Sequence, residues 1–207
     1  MARFEKVPDI VIGRLPVYLR ALTRLASEGQ EITSSQQLGK MLGVSSAQIR
    51  KDLSYFGEFG KQGMGYNIAH LQEQLSAILK VDREWEVVVV GAGPLAEALI
   101  REDPFAGKGF RIVALFDSRP ERIGQRLAGM EILDSAQLPE VVRQRGLKVA
   151  ILAVPAAEAQ QVADTLVAAG IKAILSYAST TLSVPPEVRL QYNDAAAQLQ
   201  RMAYYLQ

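Results

Sequence analysis

Up to about residue 80 the apolar positions follow a helical spacing. Ile12, Leu15, Leu19, Leu22 and Leu25 recur every three or four residues, predicting one face of an amphipathic helix. Pro16 interrupts the stripe and predicts a kink or the true first turn, and Gly29 supplies a stop. After Trp85 the pattern changes. Short apolar runs at residues 87–90, 112–116, 149–154 and 173–175 predict strands, with helical stretches at 95–100, 120–124 and 156–169 among them. Strands that are apolar throughout are buried on both faces. Their alternation with helices predicts βαβ units in a doubly wound parallel sheet, an α/β Rossmann architecture. The polar segment 80–84 separates the two patterns, so domains are expected over 1–80 and 81–192. The last stretch, 193–207, reads as a C-terminal helix. Asn193 or Asp194 can cap it, and Ala195, Leu199, Met202 and Leu206 form one apolar stripe.

Within the first domain, Ser34 and Gln37, then Ser45 and Gln48, form two capping-box patterns. They predict helices over 35–42 and 46–55 joined by the tight turn Leu42-Gly43-Val44. Gly39 sits where two crossing helices approach closely, and Leu38, Leu42, Val44, Ile49 and Leu53 supply a shared core. This is helix-turn-helix architecture. With Ile49 and Leu53 inward, the second helix presents Ser46, Ala47, Arg50, Lys51 and Ser54, a small polar face with two cations that fits a DNA major groove. In residues 56–66 aromatics flank a glycine-rich tip. A β-hairpin is expected there, a wing whose Lys61 and Tyr66 rest on the phosphate backbone. A plain helical hairpin with a solvated Arg50-Lys51 pair fits the same spacing.

In the second domain a strand runs into Gly91-Ala92-Gly93-Pro94-Leu95-Ala96, a G-x-G-x-x-A loop that opens a helix. Gly91 allows the tight turn, Gly93 lets a pyrophosphate approach the backbone, and Ala96 permits close helix–strand packing. Pro94 lies in the first turn, where its missing N–H has no intrahelical use. Asp117 ends the next strand, placed to accept bonds from ribose hydroxyls and to repel a 2′-phosphate, although Arg119 follows two residues on. Val154, Pro155, Ser176 and Tyr177 end later strands, at the sheet edge where a nicotinamide would lie. A Rossmann domain without a ligand, or one that binds coenzyme A, carries the same loop.

The composition narrows the chemistry. The chain has 207 residues, 49% apolar, with no Cys and one His. Thiolate metal sites, Cys nucleophiles and Fe–S clusters are excluded, most His-ligated metals with them, and no metal is expected. No apolar run approaches the ~18–20 residues of a membrane span, and the N-terminus lacks a signal peptide's apolar core, so the cytoplasm is expected. The net charge of +1 divides into +3 over residues 1–80 (ten Lys/Arg, seven Asp/Glu) and −2 over 81–207 (thirteen against fifteen). A dehydrogenase needs a proton donor beside the hydride acceptor. His70 lies in the other half, and Tyr177 has Thr181 where a Tyr-x-x-x-Lys pair needs its lysine. An enzyme is therefore not expected. An NAD(P)-dependent oxidoreductase, or a coenzyme A sensor with an accessory helical domain, is the alternative.

Segments 34–42, Gln48-Ile49-Arg50-Lys51-Asp52-Leu53-Ser54-Tyr55-Phe56-Gly57, Gly63-Met64-Gly65-Tyr66, the 91–96 loop and 168–175 together resemble the Rex family of redox-sensing transcriptional repressors. The resemblance covers nearly the whole chain. It implies a homodimer with winged-helix DNA-binding domains, Rossmann domains for NADH and NAD+, and a C-terminal helix exchanged between subunits. It brings Ser34, Gln48, Tyr55 and Gly63 beside Ser46, Arg50, Lys51, Ser54, Lys61 and Tyr66 as DNA-binding residues on double-stranded, palindromic operator DNA. It also implies a switch pair, Arg20 with Asp194 of the other subunit, and release from DNA as NADH rises. The chain departs from the family at Ala96, Pro94, Ser176-Tyr177 (usually Asn-Phe) and Ala195.

Overall fold

The computed structural model describes residues 7–60 and 64–206. The chain forms two compact units, Met1–Arg83 and Glu84–Gln207. In the first, α1 (Asp9–Ser27) is followed by β1 (Ile32–Thr33), α2 (Ser35–Leu42), α3 (Ser46–Ser54), β2 (Tyr66–Asn67) and α4 (Ile68–Leu79). Pro16 does not start α1. The helix begins after Pro8 and continues through Pro16, leaving the Ile12 carbonyl without its helical donor. Its buried face runs through Val11, Leu15, Tyr18, Leu22 and Leu25, so Tyr18 takes an inner position while Ile12 is exposed. Leu38, Ile49, Leu53, Leu71 and Leu75 complete this core.

The Ser34 and Ser45 hydroxyls accept from the Gln37 and Gln48 N–H groups, both at 3.1 Å, and start α2 and α3. The return half of each capping box is redirected. Gln37 bonds Thr33 and Gln30, and Gln48 bonds Asp52. A Cβ on Gly39 would collide with the Val44 carbonyl oxygen, so the turn closes only over glycine. The hairpin expected over 56–66 does not form among the described residues. Tyr66–Asn67 pairs antiparallel with Ile32–Thr33 instead. Gly57 and Gly60 weaken strand formation in 56–60, whereas β1 offers the buried Thr33, with Gly65 packed against its carbonyl. Lys61 and Gly63 lie outside the described residues.

The second unit contains β3 (Trp85–Val90), α5 (Pro94–Glu102), β4 (Phe110–Asp117), β5 (Arg126–Leu127) and β6 (Met130–Asp134). It continues with α6 (Leu138–Arg145), β7 (Val149–Leu152), α7 (Ala156–Ala169), β8 (Ala173–Ser176), β9 (Arg189–Tyr192) and α8 (Ala195–Ala203). The sheet order is β5-β6-β4-β3-β7-β8-β9, parallel except for β5. Val88 and Val90 pack into one core with Phe116, Leu152 and Leu166. Val87 and Val89 pack into the other with Leu99, Leu115 and Ile151. This burial on both faces is what the unbroken apolar runs required.

Residues 120–124 are a succession of turns, not the expected helix. Five residues are too few to offset helix nucleation, and the Gly124 N–H bonds the Ile132 carbonyl at the sheet edge. The run read as a strand to residue 154 ends at Leu152. From β6 the chain crosses through α6 to β7 on the far side of β3. The carboxyl ends of β3 and β7 therefore part at the switch point, where a crevice opens. At the chain's end Asp194 caps α8 by accepting the Ala197 N–H at 3.0 Å. No α8 residue is buried, and Leu199, Met202, Tyr204, Tyr205 and Leu206 are all exposed.

Candidate functional site

The crevice at the switch point is a cleft of about 390 Å³, bounded by the loops after β3 and β7 and the tip of β4. Its two glycines have different reasons to be glycine. Gly91 has φ +103°, and a Cβ there would lie 2.7 Å from the Ala153 carbonyl carbon and closer still to the oxygen. It is required by loop-against-loop packing. Gly93, the α5 cap, has an ordinary extended backbone and nothing within 4 Å of its Cβ position. The space in front of it belongs to the cleft, a cradle that a side chain would fill.

Behind Gly93, Pro94 opens α5 and lines the cleft. The first-turn N–H groups of Leu95 and Ala96 have no intrahelical acceptor, and the helix start is positive. Ala96 is fully buried and Leu95 packs on the same core. Ala92 serves the loop itself. Its N–H donates to Asp117 Oδ2 at 2.8 Å, and its carbonyl accepts from Arg122 Nη2 at 2.8 Å.

Asp117 is engaged within the protein. Oδ1 accepts from the Arg119 N–H and Nε, both at 2.9 Å, and Oδ2 accepts from Arg119 Nη2 at 2.7 Å as well as from Ala92. The Arg119 guanidinium outweighs burial and holds this carboxyl far below the usual carboxylate range. Arg119, half exposed, lines the cleft beside it. Val154 and Pro155 also line it. Ser176 and Tyr177 do not. The Ser176 hydroxyl is buried and accepts the Ala178 N–H at 3.2 Å, and Tyr177 packs on the apolar core. Ser118, Ser135 and Glu158 were not singled out from the sequence. Each directly follows a parallel strand or opens the next helix, the positions a Rossmann crevice exposes. The lining suits an elongated ligand with an anionic middle, seated on the α5 N-terminus.

In the first unit α3 turns Arg50 and Lys51 outward, both exposed. Arg50 Nη1 donates to the Ser35 hydroxyl at 3.0 Å, and the Ser54 hydroxyl donates to the Lys51 carbonyl. Ser46 is half-buried at the first position of α3, Tyr55 is its half-buried C-cap, and Ser34 caps α2. Gln48 is drawn inward onto Asp52. Burial pushes the Tyr66 phenol up, and the Arg50 charge opposes that shift. Asp52, fully buried on α3, accepts from Arg14, Tyr18 and Gln48. Burial alone would raise its carboxyl, but these donors together hold it below its ordinary value. Burial, together with the same contact, pushes the Tyr18 phenol up to about 12. Arg20 is exposed on α1, where a groove of about 560 Å³ between α1 and α2 is lined by Arg20, Arg24, Lys40 and Met41. Among the described residues no acidic, His or Cys cluster could hold a metal, and no helix is long and apolar enough to cross a membrane.

Two family models match the chain, "Putative DNA-binding protein N-terminus" over residues 6–54 and "CoA binding domain" over residues 82–180. The redox-sensing transcriptional repressor Rex of Roseiflexus sp. (strain RS-1) is 52% identical over 206 residues, covering all of this chain and 94% of the relative. The crystal structure of RSP in complex with β-NAD+ and operator DNA superposes with a TM-score of 0.91 at 36% identity, covering 97% of this chain and 92% of that one. RSP, a Rex-family repressor, in complex with β-NADH gives 0.88 at 33% identity, covering 97% and 94%.

Proposed function

The chain belongs to the Rex family of redox-sensing transcriptional repressors, and we propose that it binds double-stranded operator DNA through α3 and leaves the operator when NADH occupies the cleft. One observation carries this reading. A single chain joins a DNA-sized helix face bearing Arg50 and Lys51 to a switch-point cleft whose Gly93 cradle fits a pyrophosphate on a helix N-terminus. RSP in complex with NAD+ and operator DNA together, and with NADH, supports it.

In this reading Arg50 reads a base edge, Lys51 meets phosphate, and Ser34, Ser46, Ser54, Tyr55 and Tyr66 border the same DNA. Lys61 and Gly63 are further DNA-binding candidates, from the sequence alone. Gly91–Ala96, Val154 and Pro155 hold the dinucleotide, and Asp117 acts through Arg119, which faces the adenosine end. The protein works in the cytoplasm as a homodimer on a palindromic site, since a two-fold protein reads a two-fold operator. The wholly exposed apolar stripe of α8 supports an exchanged helix, with Asp194 meeting Arg20 of the other chain beside the α1–α2 groove. NADH and NAD+ differ in charge and shape at the nicotinamide. Operator release then follows from a different affinity of the DNA-competent and DNA-released states for NADH.

The match to a CoA binding domain favours coenzyme A as a second ligand reading. Calorimetric titration with NADH, NADPH and coenzyme A, run beside an operator gel shift, separates the two. NADH binding with operator release is expected. Tight coenzyme A binding without NADH binding overturns the dinucleotide assignment. Tyr177, which does not line the cleft, gives an oxidoreductase no proton donor there, and the relatives are repressors.

A further inference from the structure

Asp52 has no exposed surface, yet it sits on the helix whose outer face carries Arg50 and Lys51. Arg14 reaches it with two bonds, Nε to Oδ2 at 2.5 Å and Nη2 to Oδ1 at 2.7 Å. The Tyr18 hydroxyl donates to Oδ2 at 2.6 Å, and Gln48 Nε2 donates to Oδ1 at 2.7 Å. Arg14 and Tyr18 stand one turn apart on α1, so a single carboxylate fastens α3 to α1 at two heights. Gln48 fastens it one turn back within α3.

The apolar contacts of Ile49 and Leu53 resist separation of α3 from the core, but they are non-directional and tolerate small rotations. A planar guanidinium on both oxygens of a carboxylate does not. A buried ion pair is a weak source of net stability beside an apolar replacement, and the role it can fill is to specify one arrangement. Arg50 lies two residues before Asp52, and Lys51 is adjacent. Any rotation of Asp52 against α1 is therefore a rotation of both cations across the DNA face. A base-edge hydrogen bond is lost over a fraction of an ångström, whereas attraction to phosphate falls slowly with distance.

We propose that Asp52, gripped by Arg14 and Tyr18, is a positioning residue for DNA reading: it fixes the rotation of α3, and so sets discrimination between operator and other DNA rather than affinity for DNA at large. The inference rests on α3 being the reading helix.

The test uses the full chain and compares affinity for operator with affinity for scrambled duplex of the same length, across a salt series. Asp52→Asn, Arg14→Lys and Tyr18→Phe are each expected to lower the operator-to-scrambled ratio roughly tenfold, the scale of one misplaced base contact. Scrambled-DNA affinity and salt slope should stay within about twofold, because the phosphate contacts survive. Arg14→Lys keeps the charge and Tyr18→Phe leaves no buried charge unpaired, so both report even if Asp52→Asn fails to fold. An unchanged ratio, with or without a parallel fall in both affinities, overturns the proposal and leaves Asp52 a purely structural residue. Arg50→Ala in the same assay separates the two failures. If it also leaves the ratio unchanged, α3 is not the reading helix. If it lowers the ratio while the Asp52 network variants do not, only the positioning role falls.

Discussion

Replacing the two loop glycines by alanine, one at a time, separates a residue needed by the ligand from one needed by the fold. At Gly93 the added methyl meets nothing within 4 Å. Alanine is the poorer helix cap by roughly 0.5–1 kcal/mol, which the smaller unfolded-chain entropy of alanine offsets by a similar amount at this ordinary φ. Thermal stability should be unchanged within about 2 °C. The same methyl stands where a pyrophosphate must reach backbone N–H groups. Losing one or two charge-assisted hydrogen bonds costs about 2–4 kcal/mol, which is roughly a 30- to 1,000-fold weaker NADH dissociation constant. At Gly91 alanine must adopt φ +103° and push back the Ala153 carbonyl. Backbone strain of 1–3 kcal/mol plus the displacement amounts to about 3 kcal/mol, or roughly 10 °C of melting temperature. Calorimetric titration with NADH and thermal unfolding of both variants give the four numbers. A Gly93→Ala protein that binds NADH within threefold of the parent would refute the placement of the phosphates on this loop. A Gly91→Ala protein as stable as the parent would refute the packing argument.

Arg50→Ala should weaken operator binding by about 1–3 kcal/mol and relax preference at one base pair per half-site, read by gel shift against single-position operator variants. Asp117→Asn tests a pH dependence. The Asp117 carboxyl is depressed by Arg119, so its stabilisation is complete above the unfolded-state value of about 3.9 and is lost as pH falls below it. The melting-temperature gap between parent and variant should be widest at neutral pH and close on acidification; a gap independent of pH contradicts the ion pair. Truncation after Asn193 removes the exposed α8 stripe and should shift sedimentation towards the monomer. A truncated chain that remains dimeric and NADH-responsive excludes the helix as the dimer's link.

Local signals were legible in the sequence where a few neighbouring residues decide the outcome. Ser34 and Ser45 start α2 and α3, and the glycines of the 91–93 loop turn where the spacing places them. Side-chain destinations were harder to read. Gln37 and Gln48 match a capping box, yet stronger partners across the fold take their amides. Asp117 carries the ribose-acceptor signature, and spacing alone does not show that Arg119 two residues on also bonds that carboxylate. Residues 56–66 have the aromatics and glycines of a hairpin, while β2 finds its partner in Ile32–Thr33, more than thirty residues earlier in the chain. The strands β5, β6 and β9 leave no signal in the sequence, because two to five residues of mixed polarity carry no period. Asp52 sits inside the Arg50–Gly57 motif, but its four hydrogen bonds come from residues 4 to 38 positions away.

NADH and operator DNA are expected to compete through one conformational equilibrium, and linkage makes that coupling measurable from either side. NADH dissociation constants are determined by calorimetry for the free protein and for protein saturated with operator duplex. Operator dissociation constants are determined with and without saturating NADH. The two ratios must agree, because the coupling free energy is a single quantity. The expected result is a matched weakening of at least about fivefold in each direction, the lower end of ordinary coupling energies. NADH bound as tightly by operator-saturated protein as by free protein would contradict it.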